Sequence, residues 1–133
     1  MKKVKCNRIS FEVDIDAFRK KVKKAGMFLL CHPHNPVGHI FSRAELKKMA
    51  EICIENKVII VSDEIHSEIL LGGARFTPIA SLSREIAKYT ITMISASKAF
   101  NVPGLSCAFA IIPDPTLRKR FFEVTYGMSY EVS

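Results

Sequence analysis

Residues 58–69 read VIIVSDEIHSEI: an unbroken aliphatic run, Val58–Ser62, that stops on Asp63-Glu64-Ile65-His66. An apolar run this short suits a strand buried on both faces better than a helix. Two more runs have the same form, Met27–Cys31 (MFLLC) and Thr90–Ile94 (TITMI). The three begin 31 and 32 residues apart, a spacing that suits βαβ units of about 30 residues. Each strand also runs into a polar cluster. The first leads to His32-Pro33-His34-Asn35-Pro36-Val37-Gly38, the second to Asp63-Glu64-Ile65-His66, the third to Ser95-Ala96-Ser97-Lys98. Parallel strands place all three clusters on one edge of the sheet, outside the carboxyl ends where open α/β sheets bind ligands.

Helix signals fill the connections. Ser42-Arg43-Ala44-Glu45 is a capping box followed by Leu46, Met49, Ala50 and Cys53 at helical spacing, which predicts a helix over about 42–56. Upstream, Asp14 can cap a helix whose inner face holds Ile15, Phe18, Val22 and Ala25, with Gly26 at its C′ position. Asp114-Pro115 reads as N-cap and first helical residue, with Leu117, Phe121 and Val124 turned inward. A short helix is expected at about 78–87. The fourth apolar run, Ser106–Ile112, follows the third strand too closely for a parallel crossover. It is therefore expected to be antiparallel. The fold class predicted is α/β, a mostly parallel mixed sheet with flanking helices.

Composition agrees with a packed domain. Of 133 residues, 48% are hydrophobic and 25% charged, with six Gly and six Pro, so disorder and low complexity are excluded. No run approaches the roughly eighteen apolar residues of a membrane span, and no apolar segment follows the charged N-terminus as a secretory signal requires. The net charge of +7 invites a nucleic-acid reading. Residues 1–26, however, hold nine basic and three acidic residues, a net of +6. Much of that excess, Arg19, Lys20, Lys21, Lys23 and Lys24, lies on the first predicted helix, where a solvated basic face accounts for it. No base-stacking motif accompanies it and Trp is absent, so no nucleic-acid partner is expected. Cys6, Cys31, Cys53 and Cys107 form no CxxC pair, and a reducing cytoplasm suits them.

Residue by residue, the polar edge leaves alternatives open. Asn35-Pro36-x-Gly38 is turn chemistry taken alone. Asp63 and Glu64 could cap the next segment or bind a divalent metal. The spacing of His32, His34 and His66 matches no standard zinc pattern, so no metal site is expected. Lys98 could be an ordinary surface lysine. It follows an apolar strand and precedes Ala99-Phe100, so partial burial is expected, which would favour a nucleophilic amine.

Taken in order, NPxG, D-x-x-H after a strand and S-x-S-K after the next strand resemble the fold-type-I pyridoxal-phosphate (PLP) enzymes of the class I/II aminotransferase family. The wording is most similar to its cystathionine β-lyase-like branch. The stretches that carry it are 31–46 (CHPHNPVGHIFSRAEL), 58–69, 76–83 (FTPIASLS) and 95–105 (SASKAFNVPGL). Together they extend the likeness from about Phe11 to Phe122. The resemblance implies PLP as cofactor and an amino acid as substrate, sulfur-containing if the enzyme is a C–S lyase. It implies that Lys98 links covalently to the cofactor and moves the substrate Cα proton. Asp63 would face the pyridine nitrogen, Asn35 and His66 the ring oxygen, and Ser95 and, less directly, Ser97 the phosphate. These motifs are shared by lyases and transaminases. Many relatives carry an Arg eight residues after the lysine, where this chain has Ser106. The resemblance also implies that residues 1–133 are the middle of the large, cofactor-binding domain, without the N-terminal segment and C-terminal small domain of the family. The chain alone is then expected to lack a complete active site. The alternative is a truncated, non-catalytic remnant that only binds PLP weakly or self-associates. Exposed sheet edges would favour a homo-oligomer or a complementary chain.

Overall fold

The capping box forms as the sequence dictates. Ser42 Oγ accepts the Glu45 backbone N–H at 3.2 Å, and the Glu45 carboxylate accepts the Ser42 N–H at 2.7 Å. These bonds satisfy N-terminal donors that helix geometry leaves unpaired and start the helix that carries most of the core. The structure, a computed structural model, describes residues 11–128. Along the chain lie α1 (Ile15–Val22), β1 (Met27–Cys31), α2 (Arg43–Glu55), β2 (Ile59–Asp63), a 3-10 turn (Ile79–Ser81), α3 (Arg84–Lys88), β3 (Thr90–Ile94), α4 (Ala96–Ala99), a second 3-10 turn (Pro103–Leu105), β4 (Phe109–Ile111) and α5 (Pro115–Thr125).

The strands form one sheet in the order β1-β2-β3-β4. β1, β2 and β3 are parallel, and β4 pairs antiparallel to β3, as the short connection requires. The mixed, mostly parallel α/β sheet is therefore as the sequence predicts. Register aligns Cys31 with Asp63 and Asp63 with Met93, so the three polar clusters leave the same sheet edge side by side.

The core lies on one face of the sheet. Leu30, Ile60, Ser62, Thr90 and Thr92 alternate inward and are buried. Leu46, Met49, Ala50, Ile52 and Cys53 of α2 are buried with them, joined by Val22, Ile79 and Ile86. Cys53 is a free thiol, and its burial pushes its pKa up to about 12. The opposite face follows the expectation of strands buried on both sides only at β3, where Ile91 is buried. Met27 is exposed, Leu29 is 72% exposed, and Cys31, Ile59 and Val61 are only half-buried. The continuous apolar runs suit two covered faces, but the helices between the strands pack on one.

Other boundaries also differ. α1 ends at Val22 on i to i+3 backbone bonds from Lys24 and Ala25, so Ala25 is exposed and Gly26 does not take the left-handed C′ conformation. β2 begins one residue later than the apolar run, at Ile59. The single helix expected at 78–87 is split into the first 3-10 turn and α3, because Ser83 restarts the chain as a new N-cap through its bond from the Ile86 N–H. Asp114 caps α5 as expected, but α5 buries no residue and Val124 is exposed. The basic residues of α1 face solvent. Lys20, Lys21, Lys23 and Lys24 are exposed, and Arg19 pairs with Glu55 at 2.7 Å. The basic residues before Phe11, and Cys6, lie outside the described residues. Among the described residues, no helix is long and apolar enough to cross a membrane.

Candidate active site at the carboxyl edge of the sheet

Asp63 ends the second strand from one side of the sheet, with β1 and β3 on either flank. Its carboxylate is exposed, and Oδ1 accepts the Ile65 backbone N–H at 3.2 Å. It opens onto a cavity of about 420 Å³ whose lining includes Cys31, Ile65, Met93 and Ser95. Ile65 and Cys31 line this cavity and are not among the residues that the motifs pick out. The strand register brings Cys31 next to Asp63, and Ile65 lies two residues beyond it in the chain.

Asn35 and His66 meet in a second cavity of about 270 Å³, walled by His34, Pro36, Ile40 and Ile69 among others. The turn that carries Asn35 is closed by two backbone bonds of 2.8 Å, His34 N–H to His39 O and Gly38 N–H to His34 O. Gly38 sits at φ +67°, where a β-carbon would be strained. Asn35 is exposed and His66 half-buried, and neither side chain is hydrogen-bonded among the described residues.

Ser95 and Ser97 are brought together on the other flank. Ser95 caps the single turn of α4, accepting the Ser97 N–H at 3.1 Å. Its hydroxyl donates to the Cys107 carbonyl at 2.7 Å, and the two serine hydroxyls are 2.7 Å apart. Both hydroxyl hydrogens are thus used inside the protein, and an anion there would have to displace one of these bonds. Lys98 departs from the expectation of partial burial. α4 is one turn long, and Lys98 is exposed on it, with no ion pair among the described residues. It lines neither the Asp63 cavity nor the Asn35 cavity.

The neighbouring polar residues turn inward and serve the fold. Glu64 is 3% exposed, and its Oε1 accepts the Ser62 hydroxyl at 2.9 Å. Burial raises its pKa, against the bonds from Ser62 and the Ile79 N–H. Glu64 therefore ties β2 to the 3-10 turn and is not free to bind a ligand. A raised native pKa means stability that is complete below the unfolded value of 4.5 and is lost as pH rises through the folded value. Replacing Glu64 with Gln removes that loss. In urea titrations, the stability of Glu64→Gln relative to the parent is expected to improve steadily from pH 4 to pH 7. A pH-independent difference would contradict the assignment.

His32 is fully buried between Phe41 and Phe76, at ring-centroid distances of 5.6 and 4.7 Å. Its Nε2–H donates to the Thr77 carbonyl at 3.3 Å, and Nδ1 has no partner. Burial lowers its pKa, because a second N–H in this apolar seat would be unpaired. Among the described residues, no three His, Cys, Asp or Glu side chains gather as a metal site.

The edge fits a phosphorylated pyridine in part. The Asp63 carboxylate borders one cavity, the Asn35 carboxamide and the His66 imidazole border another, and the exposed Lys98 amine follows the third strand. The serine pair is the element already satisfied from within.

Residues 1–128 match the family of class I and II aminotransferases. The chain is 41% identical over 114 residues to cystathionine β-lyase PatB of Bacillus subtilis (strain 168), covering 84% of this chain and 30% of that protein. Its structure is similar to cystalysin of Treponema denticola, which contains a pyridoxal 5′-phosphate cofactor. The TM-score is 0.87 at 30% identity, over 93% of this chain and 32% of that one. The PLP-bound C–S lyase of Staphylococcus hominis matches with TM-score 0.81 and 36% identity, over 89% of this chain and 30% of that one. The chain thus spans about a third of the length of these relatives.

Proposed function

The chain belongs to the aminotransferase class I and II family, and on that premise we propose that it is part of a PLP-dependent C–S β-lyase acting on a sulfur-containing amino acid. The observation that carries the reading is the convergence of the Asn35, Asp63 and Ser95–Lys98 segments at the carboxyl ends of three adjacent parallel strands. His66 and the 41% identity to a cystathionine β-lyase favour lyase over transaminase.

PLP supplies an electron sink that lets a proton leave the substrate Cα. The chain's own residues do the rest. The Asp63 anion keeps the pyridine nitrogen protonated. Asn35 and His66 would orient the ring through its oxygen, and Ser95 with Ser97 would hold the phosphate in exchange for an internal bond. Lys98 would hold the cofactor covalently and carry the Cα proton, and its amine is exposed on a short helix. The segment that carries it follows β3, on the same sheet edge as the segments after β1 and β2.

A second reading, cofactor binding without turnover in a self-associating chain, is favoured by the open sheet face around Met27 and Leu29. A homo-oligomer or a complementary chain would cover that face. The free, unpaired Cys31, Cys53 and Cys107 support a cytoplasmic setting.

The test is an absorbance titration with PLP. The parent chain is expected to develop a visible band that Lys98→Ala lacks. Equal spectra for both proteins at saturating PLP would sink the assignment of Lys98. Pyruvate release from cystathionine then separates the lyase from the cofactor-binding remnant.

A further inference from the structure

Cys31 lines the Asp63 cavity and lies two residues before Pro33, where the lining of the Asn35 cavity begins. In the strand register it is paired with Asp63, and its side chain lines the Asp63 cavity. The same thiol reaches the turn that carries Asn35 into the other cavity. Cys31 Sγ accepts the Asn35 backbone N–H at 3.5 Å, and its S–H donates to the Pro33 carbonyl at 3.4 Å. The Cys31 carbonyl accepts from the His34 ring Nδ1–H at 3.3 Å. One residue therefore holds three consecutive positions of the turn through side chain and main chain.

We propose that Cys31 is a positioning residue: its thiol clamps the turn that presents Asn35, and so couples the Asn35 cavity to the carboxylate of Asp63. This rests on the reading of Asn35 as the partner of the cofactor's ring oxygen. A packing role alone would need only volume. Cys31 is half-buried, and each bonding capacity of its sulfur, one donor and one acceptor, is engaged within the turn. The backbone closures at Gly38 and His34 fix the far side of the turn. Cys31 fixes the near side, where the carboxamide of Asn35 departs from the sheet edge. Bonds to sulfur are weak one by one, so the effect belongs to orientation rather than to global stability.

The test uses the full chain with Cys31→Ala and Cys31→Ser. Without cofactor, the Asn35 amide is expected to exchange with deuterium about three- to tenfold faster in Cys31→Ala. Cys31→Ser, which keeps a donor and an acceptor, should restore much of the protection. With PLP added, Cys31→Ala is expected to bind more weakly and to shift the pH midpoint of the visible band in the direction that Asn35→Ala does. The double variant should be no worse than Asn35→Ala alone. Equal Asn35 exchange in parent and Cys31→Ala would overturn the clamp, as would PLP effects of the two substitutions that simply add. Failure of the parent to take up PLP strikes instead at the proposed function, and the exchange comparison still decides the clamp.

Discussion

Replacing Asp63 with Asn is expected to weaken PLP binding roughly tenfold to a hundredfold, the range for losing one charge-assisted hydrogen bond. The substitution is chosen to isolate the charge. Asn keeps an oxygen for the Ile65 N–H, so the local turn is preserved. The carboxylate is exposed and belongs to no ion pair among the described residues, so folding stability should change little. Fluorescence or absorbance titration with PLP reads the affinity, and urea denaturation reads the fold. A variant that binds PLP as the parent does would remove Asp63 from the site. The adjacent carboxylate supplies an internal control. Glu64 is buried and bonded to Ser62, and its substitutions should act through stability instead.

The second large effect is on the fold. Leu46→Ala should cost about 2–5 kcal/mol, the range for deleting a fully buried leucine side chain. Leu46 is 0% exposed at the start of α2, packed where that helix meets the sheet core. One face of the sheet is open at β1, so the single covered face carries most of the apolar burial. A domain whose total stability is about 5–15 kcal/mol loses a large share of it from this change. Chemical denaturation would show a midpoint shift with little change in slope. A loss well under 1 kcal/mol would mean that the α2 core does not hold the fold.

Local signals in the sequence determine the structure where one short-range rule decides the outcome. The capping box at Ser42, the Asp114-Pro115 start of α5 and the limits of β1 and β3 are of that kind. The antiparallel β4 followed from the length of its connection. What was not legible depends on neighbours distant in the chain. Strand composition reports what a strand can tolerate on each face, and it cannot say that the Leu29 face is open. Lys98 was expected to be partly buried because its sequence neighbours are apolar, but a one-turn helix cannot enclose it, and Phe100 beside it is exposed as well. α5 has a helical apolar pattern with nothing packed on Val124.

The site shows the same division. The clusters that hold Asn35, Asp63, His66 and Ser95 to Lys98 are legible in the sequence, because each follows the end of a strand. Ile65 and Cys31 are not, since the motifs do not include them and only the β1–β2 register brings Cys31 to Asp63. The mutual satisfaction of Ser95 and Ser97 was equally hidden, since it depends on the Cys107 carbonyl twelve residues away.

The claim that this sheet edge holds PLP through Lys98 is tested most directly by trapping. The chain is incubated with PLP, reduced with borohydride and digested, and the pyridoxyl mass is located by peptide sequencing. Label is expected to concentrate on the Lys98 peptide and to fall greatly in Asp63→Asn at limiting PLP. Label spread evenly over the exposed Lys20, Lys21, Lys23 and Lys24, in and just after α1, with none preferred at Lys98, would contradict that claim.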